Sequence, residues 1–354
     1  MTHFTQLIKK WYHHYGRKLP WRETRDPYKI WVSEIILQQT RIGQGTKYYN
    51  NFLNAFPDIF ALAKASETDV MQQWQGLGYY SRARNMHYAA KTIVNDHDGM
   101  FPQTYKKIQT LKGIGPYTSS AIASFAFNLP YAVVDGNVSR ILSRCFAIDT
   151  PIDSSQGRKQ FQTLAEQLLD RDDPATHNQA IMDIGAIICK PANPLCDKCP
   201  LADLCQARKN ENQRDYPVKS QRKTRKKRFL NFLIIHYNGR ILIEKRTGED
   251  IWKGLYQFPL METFEKASKE SMESKIRKMT GEDVKITKIH EKKHILTHQE
   301  LQAIFFKLKW PEELPPPEIS DHNKAVLYSA GEIYKIPFPQ LIQEHLEALI
   351  IADH

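Results

Sequence analysis

The chain has 354 residues, 41% of them hydrophobic, and a formal net charge of +11. This length suggests two or three domains, and the apolar content is ample for hydrophobic cores. No apolar run approaches the roughly 18 residues of a membrane span, and the N-terminus lacks the regions of a signal peptide. We therefore expect a soluble protein in a reducing compartment, with a polyanionic partner for its basic surface.

The first two hundred residues or so have apolar side chains at helical spacing and predict a mainly helical domain. Aspartates followed by a proline mark the start of one of these helices, because proline is favoured at the first helical position. The predicted helices run from Phe4 to Tyr15, from Pro27 to Arg41, from Val70 to Gln75, from about Ser81 to Val94, from Ser155 to Leu169, and from Pro174 to Cys189.

A glycine pair lies in the segment Leu111-Lys112-Gly113-Ile114-Gly115-Pro116-Tyr117-Thr118. The two glycines around one apolar residue predict a tight turn, and a helix begins near Thr118. Amides of such a turn and helix start can bind a DNA phosphate without reading sequence, so Gly113, Gly115 and Thr118 are candidate backbone contacts. An ordinary turn is the alternative.

Four of the five cysteines, Cys189, Cys196, Cys199 and Cys205, fall within seventeen residues. Four thiolates that close on one another can hold a [4Fe–4S] cluster or a zinc ion. Structural zinc sites usually pair two C-x2-C knuckles or add histidines, and only one such knuckle occurs here, so the spacing fits the cluster better. Two disulfides are the other alternative, and Cys145 is interpreted as core.

Residues 208–228 carry ten lysines and arginines against two acids, a net charge of +8. This polar stretch without periodicity is interpreted as an interdomain linker that lies along DNA phosphates or is simply solvated. Beyond it the pattern becomes α+β. Strands are predicted from Phe229 to Tyr237, Arg240 to Arg246, Val284 to Ile289 and Leu301 to Trp310, and helices from Ser268 to Met279 and Gln340 to Ile351. Asn238-Gly239 between the first two strands is a strong hairpin pattern.

Two carboxylates have unusual surroundings. Glu34 is the lone acid of an apolar helix, with Trp31 and Leu37 about one turn away on either side. Burial would raise its pKa and suit it to general acid catalysis, whereas a solvent-facing glutamate is the alternative. Asp135 follows two valines and precedes Gly-Asn, so it is also a candidate helix N-cap.

Together, LKGIGPYT, VVDGNV and the four-cysteine loop resemble the helix-hairpin-helix glycosylase superfamily with the Gly/Pro-Asp signature, which includes endonuclease III. The resemblance covers residues 19–205 closely. The segment from Trp31 to Thr40 is similar to the motif that carries the catalytic glutamate of the adenine DNA glycosylase (MutY) family. Endonuclease III has a lysine where this chain has Tyr117, and tyrosine cannot form an imine, so the resemblance implies a monofunctional glycosylase.

The resemblance also implies the roles of individual residues. Glu34 protonates adenine, Asp135 stabilises the sugar cation, and Tyr117 lies beside the sugar. Arg22, Trp21 and Gln179 contact the flipped base, while Gln39 and Tyr79 wedge into the duplex. For most of these residues the alternative is ordinary core or surface packing.

The second half resembles the MutT/Nudix-like domain of adenine glycosylases, which recognises 8-oxoguanine. Gly254 to Pro259 matches its G-L-W-x-F-P element, but the stretch from Ser271 to Lys278 lacks the acidic run of a working hydrolase. Thr297 and His298 match the last two residues of a Phe-Ser-His loop that probes the oxidised guanine, and Leu296 replaces its aromatic residue. A simple hairpin turn is the alternative.

We therefore expect a multidomain protein. An all-α helix-hairpin-helix domain spans residues 1–206, with the hairpin at about 108–125 and an Fe–S loop at 189–205, and a basic linker (207–228) joins it to an α+β Nudix-like domain (229–354). The expected cofactor is one [4Fe–4S] cluster, and the expected partner of this monomer is double-stranded DNA with A·8-oxoG or A·G mispairs, in the cytoplasm of a bacterium near the nucleoid. The alternatives are a thymine- or pyrimidine-mismatch glycosylase, a non-catalytic Fe–S redox sensor on DNA, and a Nudix phosphohydrolase.

Overall fold

The computed structural model describes residues 2–221, 224–319 and 324–351. They divide into two compact units. The first contains residues up to 64 and 85–221, and the second contains residues 65–84 and those from 224 onward. Residues 65–84 therefore group with the second unit, although sequence reasoning places them in the helical domain.

Helices dominate the chain up to residue 209, as predicted. In chain order they are α1 (His3–Tyr15), α2 (Pro27–Ile36), α3 (Ile42–Ala55), α4 (Ile59–Lys64), α5 (Glu67–Gln73), α6 (Ser81–Asp96), α7 (Tyr105–Thr110), α8 (Pro116–Phe127), α9 (Gly136–Phe146), α10 (Ser155–Leu168), α11 (Pro174–Ile187) and α12 (Gln206–Lys209), with single turns of 3-10 helix at Pro20–Arg22, Cys196–Lys198 and Ala202–Leu204.

Local sequence explains several of these boundaries. The side chain of Asp173 accepts a hydrogen bond from Thr176 N, and Pro174 occupies the first turn of α11, so the predicted start of this helix is confirmed. The predicted end of α2 is wrong, because the helix stops at Ile36 and not at Arg41. Gln39 has φ of 60°, a left-handed conformation that cannot continue a right-handed helix.

The core of the helical unit forms where α1, α9 and α11 meet. Ile8 of α1, Leu142 of α9 and Ile184 of α11 are fully buried in one apolar cluster. Helical spacing gives each of these helices an apolar stripe, and the three stripes face one another. This packing fixes the helix starts that carry the candidate site residues.

The second unit is a mixed sheet with helices on both faces. Its elements are β1 (Lys226–Tyr237), β2 (Arg240–Lys245), β3 (Tyr256–Gln257), β4 (Leu260–Thr263), α13 (Lys269–Thr280), β5 (Ile286–Ile295), β6 (Gln299–Lys309), β7 (Ala325–Tyr328), α14 (Ala330–Ile333), α15 (Gln340–Gln343) and α16 (Leu346–Ile351). The strand order is β3-β2-β1-β6-β5, with β4 paired to β1 and β7 to β2. Among these pairs β1 and β6 run parallel, and the others are antiparallel.

Alternation along β1 builds two cores, one on each face of the sheet. Phe232 and Ile234 pack in the cluster that includes Leu341 of α15, whereas Leu233 packs in the cluster that includes Met272 of α13. Successive side chains of a strand point to opposite faces, so a continuous apolar run is what a strand covered on both sides requires.

Three predictions for this unit need correction. The strand predicted from Val284 to Ile289 begins and ends later, at Ile286–Ile295. β1 begins at Lys226, three residues before the predicted start, because the parallel pairing with β6 already includes Lys226 opposite Gln299. The last predicted helix is two short ones, α15 and α16, with the cap of α15 at Glu344 between them. Among the described residues, none of the helices combines the length and the apolar character needed to cross a bilayer.

Candidate active site

One large cavity in the first unit collects most of the predicted site residues. Its volume is about 1220 Å³, which is ample for a ligand the size of a nucleoside. Its walls come from the single turn at Pro20–Arg22 and from α2, α8, α9 and α11. The predicted residues that line it are Trp21, Arg22, Glu34, Gln39, Tyr117, Asp135 and Gln179.

Glu34 is buried in the wall of this cavity. It lies on α2, is 7% exposed, and is flanked by the buried side chains of Ile30 and Ile35. Burial raises its pKa to about 7, and the negative charge of Asp135 acts in the same direction, while Tyr117 and Arg22 oppose the shift. A carboxyl group with this pKa holds a proton that it can donate near neutral pH.

Tyr117 lies against Glu34 in the first turn of α8. Its side chain forms a hydrogen bond with Glu34, and burial together with the charges of Glu34 and Asp135 raises the pKa of its phenol well above the ordinary value. The phenol therefore stays neutral and donates a hydrogen bond to the carboxyl group of Glu34. No amine is present at this position, as the sequence showed.

Asp135 serves as the N-cap of α9, the alternative that its sequence context left open, and it also lines the cavity. Its Oδ1 accepts from Asn137 N at 2.8 Å and Val138 N at 2.7 Å, and its Oδ2 accepts from Asn137 Nδ2 at 2.7 Å. Burial raises its pKa, whereas these donors and Arg140 lower it. Burial has the larger effect and the pKa of Asp135 is raised overall, while the donors favour the ionised form and limit that rise.

A second layer of polar residues holds the predicted base contacts in place. Arg22 donates from both terminal nitrogens to Asp183, each at 2.8 Å, and Arg17 binds the same carboxylate. The hydroxyl of Tyr12 donates to Gln179 Oε1 at 2.6 Å, which leaves the amide nitrogen of Gln179 as its free donor. Sequence reasoning missed Tyr12, Arg17 and Asp183.

A sequence pattern could have found Asp183. It is the single acid in the run Ile181-Met182-Asp183-Ile184 of a buried helix, the same kind of pattern that singled out Glu34. Tyr12 offered no comparable pattern, because a tyrosine on an amphipathic helix is common. Its partner becomes apparent only when α1 packs against α11.

Trp21 and Gln39 combine cavity lining with other roles. Trp21 is buried and packs edge-on against Tyr49 at 5.3 Å between ring centroids. It is therefore also a core residue, which was the alternative to a role in base binding. Gln39 is exposed, and its left-handed backbone ends the turn after α2 at the cavity rim.

The predicted helix-hairpin-helix consists of α7, a turn and α8. Gly113 has φ of 83°, and a Cβ there would lie 2.6 Å from Asn85 Cβ, so this turn requires glycine. Gly115 is exposed and caps α8, with open space around it. The Thr118 hydroxyl is buried and accepts from Gln38 Nε2 at 3.3 Å, so its backbone N–H, in the first turn of α8, is the group that remains for a phosphate.

Tyr79, Thr297 and His298 come together in the second unit. The hydroxyl groups of Tyr79 and Thr297 share a short hydrogen bond. Thr297 and His298 are exposed in the turn between β5 and β6, as the hairpin alternative predicted, and Tyr79 is 49% exposed. Leu296, which precedes them, packs on the apolar core of this unit.

The four clustered cysteines line one small cavity beside α9 and α11, and Arg144 lies in the same wall. All four are free thiols, so the disulfide alternative is not seen. Arg144 Nη1 donates to Cys189 Sγ at 3.3 Å. Within the described part of the chain, no three such donors lie in a metal-binding arrangement, although four free thiols around one cavity suit an Fe–S cluster chemically.

The basic linker is less free than its composition suggests. Arg228 belongs to β1 and pairs with Asp250 at 2.8 Å and Glu262 at 2.7 Å, so its charge is already balanced. Arg144 donates to the carbonyl oxygens of Gln213 and Tyr216, which ties the start of the linker to the helical unit. Arg222 and Lys223, which the charge run includes, lie outside the described residues.

Comparison with known proteins finds a matching family for each of the two parts of the chain. Residues 32–167 match the HhH-GPD superfamily of base excision DNA repair proteins, and residues 231–348 match the NUDIX domain. An adenine DNA glycosylase from Buchnera aphidicola subsp. Acyrthosiphon pisum (strain APS) is 34% identical over 345 residues, which cover 97% of each chain.

Two solved structures share the fold of the helical part. A thermostable thymine-DNA glycosylase is 31% identical with a TM-score of 0.55, and the match covers 58% of this chain and 95% of that one. A trapped covalent intermediate of endonuclease III with DNA is 19% identical with a TM-score of 0.51, over 58% of this chain and 94% of that one. At this level of identity the second match indicates a common fold.

Proposed function

The chain belongs to the adenine DNA glycosylase family, and we propose that it excises adenine mispaired with 8-oxoguanine or guanine, by hydrolysis and without cutting the strand. The observation that carries this proposal is the pairing of two carboxyl groups in one cavity. Glu34 has a pKa of about 7, and Asp135 accepts three backbone and side-chain hydrogen bonds that favour its ionised form. Two carboxyl groups with separated roles are what the hydrolysis of a glycosidic bond requires.

The reaction starts with a proton transfer. Protonated Glu34 donates to N7 of the flipped adenine, which turns the base into a good leaving group. The bond between C1′ and N9 then breaks, and the departing base takes the bonding electrons. The carboxylate of Asp135 stabilises the positive charge that develops on the sugar, and a water molecule adds to C1′ and loses one proton.

The walls of the cavity bind and orient the base. Trp21 supplies an apolar face, while the Nε2 group of Gln179 supplies a donor aimed by Tyr12. Arg22 places a cation near Glu34 and is held by Asp183. Because a base inside a duplex cannot reach this cavity, the adenine must leave the stack, and Gln39 and Tyr79 would fill the space that it vacates.

Tyr117 supports the monofunctional assignment. A lyase needs an amine to form a Schiff base with the sugar, and the neutral phenol of Tyr117 instead bonds to Glu34. The phenol and the carboxyl group together would orient the proton toward the base.

The second unit would recognise the base opposite adenine. The exposed Thr297 and His298 offer polar groups, and the bond between Thr297 and Tyr79 couples a duplex-wedging residue to the recognition turn. Pyrophosphate hydrolysis is disfavoured, because Glu273 of α13 accepts from Ile286 N and is not part of an acidic run that could hold magnesium.

Each of the predicted domains would have its own role. Residues 1–206 would carry excision, residues 207–228 would contact phosphates without sequence preference, and residues 229–354 would recognise 8-oxoguanine. The protein would act as a monomer on double-stranded DNA in the bacterial cytoplasm, near the nucleoid. Gly113, Gly115 and the N–H of Thr118 would bind one phosphate at the hairpin.

Cys189, Cys196, Cys199 and Cys205 would hold a [4Fe–4S] cluster. When bound, such a cluster would fix the loop 189–205 through its four thiolates, in addition to the carbonyl contacts that Arg144 makes at Lys190 and Pro191. The cluster would take no part in base excision, which is assigned to Glu34 and Asp135 in the large cavity.

The test is a panel of duplexes with A·8-oxoG, A·G, A·C and T·G, followed by alkaline cleavage of any abasic site. We expect adenine release from the first two and intact strands before alkali. The thymine-mismatch alternative, raised by the likeness to the thymine-DNA glycosylase, predicts release from T·G instead. Borohydride trapping comparable to that of a lysine-bearing lyase would refute the monofunctional assignment.

A further inference from the structure

Asp183 is the most saturated carboxyl group in the helical unit. It is 0% exposed, and it accepts from Arg17 N at 2.9 Å, Arg17 Nε at 2.8 Å and both terminal nitrogens of Arg22 at 2.8 Å. Arg17 Nη2 contacts it as well. A carboxylate has about four acceptor sites, so none remains for a substrate.

The two arginines of this cluster line the active-site cavity, while Asp183 lies behind them. Gln179 lies one helical turn before Asp183 on α11, so the helix presents a base contact and the arginine clamp on the same side. The bidentate pair fixes the plane of the Arg22 guanidinium, which a single contact could not do.

We propose that Asp183 is a positioning residue for excision, whose carboxylate fixes Arg17 and Arg22 in the cavity wall and offsets one of their two positive charges beside Glu34. This role rests on the proposed function. The charged and titratable groups that act on Glu34 are Tyr117, Asp135 and Arg22, and Asp183 acts through the last of these.

The charge balance has a direct consequence for the acid. An unbalanced cation at Arg22 would favour the ionised form of Glu34 and remove the proton that the reaction needs. With Asp183 in place, the charge of Arg22 is partly offset, and burial outweighs its effect on Glu34, so the acid form persists to near-neutral pH.

The test measures the titration of Glu34 directly. Infrared difference spectra of the full chain show the carbonyl band of a protonated carboxyl group, and its loss in Glu34→Gln assigns the band. In Asp183→Asn we expect this band to disappear at a pH about one unit lower than in the wild type. The high-pH limb of single-turnover adenine excision should move by the same amount, and Asp183→Glu should restore part of the shift.

Arg17→Gln is the second variant, which keeps the proposal testable if Asp183→Asn does not fold. Removing this cation while Asp183 remains should move the titration of Glu34 to higher pH. A merely structural Asp183 would lower the rate equally at all pH values, and an unshifted Glu34 band in the two variants would overturn the proposal. Because the band is measured without DNA, a wild type that released no adenine would refute the proposed function separately.

Discussion

At the scale of single residues, the side chains that line the cavity are held by polar residues that lie behind them. The Tyr12 hydroxyl donates to Gln179 Oε1 at 2.6 Å, and the Arg22 guanidinium lies 5.7 Å from the centre of the Tyr12 ring. This tyrosine therefore decides which end of the Gln179 amide faces the cavity. Rotation of the amide would replace the donor of the proposed base contact by an acceptor.

Tyr12→Phe should lower single-turnover adenine excision about fivefold, as expected for one lost hydrogen bond of about 1 kcal/mol. The ring remains to pack against Arg22, so the melting temperature should change little. Tyr15→Phe is the matched control, because Tyr15 on the same helix is largely exposed and outside the cavity lining. An excision rate unchanged by Tyr12→Phe would contradict this role.

Sequence reasoning found most of the residues that line the cavity and missed the polar residues behind them. Glu34 and Asp135 stand out because each follows apolar residues, and a buried charged group costs free energy unless it is paired or hydrogen-bonded. Tyr12 and Arg17 lie in ordinary amphipathic sequence, and their partners are more than 160 positions away along the chain. Such pairs depend on tertiary packing, which local patterns do not contain.

At the scale of elements, the hairpin between α7 and α8 offers the sharpest contrast within one motif. Gly113 combines a positive φ with a backbone position against Asn85, whereas Gly115 has open space and an ordinary φ of −89°. The two glycines look equivalent in sequence, but the structure leaves room for a larger residue at Gly115 and not at Gly113.

Gly113→Ala should distort the turn and weaken binding to matched and mismatched duplexes alike, by about fivefold, because the strained φ costs about 1 kcal/mol. Gly115→Ala, the matched control, should retain most of the affinity. The measurement is fluorescence anisotropy with a non-hydrolysed duplex at several salt concentrations. Equal losses in the two variants would contradict the assigned geometry.

The four clustered cysteines lead us to a separate prediction about the metal content of the protein. The purified wild type should be yellow-brown, with about four iron atoms per chain and negligible zinc. Cys199→Ser should lose much of the iron and lower the melting temperature, while Cys145→Ser, at the buried fifth cysteine, should keep the colour. A colourless wild type with one zinc ion would favour the zinc alternative.

Elements that depend on distant partners were the ones that sequence patterns mispredicted. Helix α3 was not predicted, because Gly43 and Gly45 and several asparagines are poor helix formers, and the burial of Tyr49 and Phe52 overrides that propensity. β1 begins within the charge run because its parallel partner β6 lies about seventy residues later. By contrast, Asn238-Gly239 forms its hairpin locally, as predicted.

At the scale of the whole molecule, adenine excision and the proposed recognition of 8-oxoguanine belong to different parts of the chain. Thr297→Ala should reduce the preference for A·8-oxoG over A·G by the roughly 1–3 kcal/mol of one base-edge contact, while excision opposite guanine stays near the wild-type rate. Thr297→Ser keeps the hydroxyl that bonds to Tyr79 and is the matched control. The readout is the ratio of single-turnover rates on the two duplexes, and an unchanged ratio in Thr297→Ala would mean that another group recognises the oxidised base.

The most direct test of the central claim is the pH dependence of single-turnover adenine release from an A·8-oxoG duplex. The active form of Glu34 is the protonated one and its pKa is about 7, so the rate should fall as the pH rises through 7. Glu34→Gln should bind the duplex with nearly wild-type affinity and release no adenine at any pH. A Glu34→Gln variant that excises adenine at the wild-type rate, or a wild type with a flat profile from pH 5 to pH 9, would contradict the account.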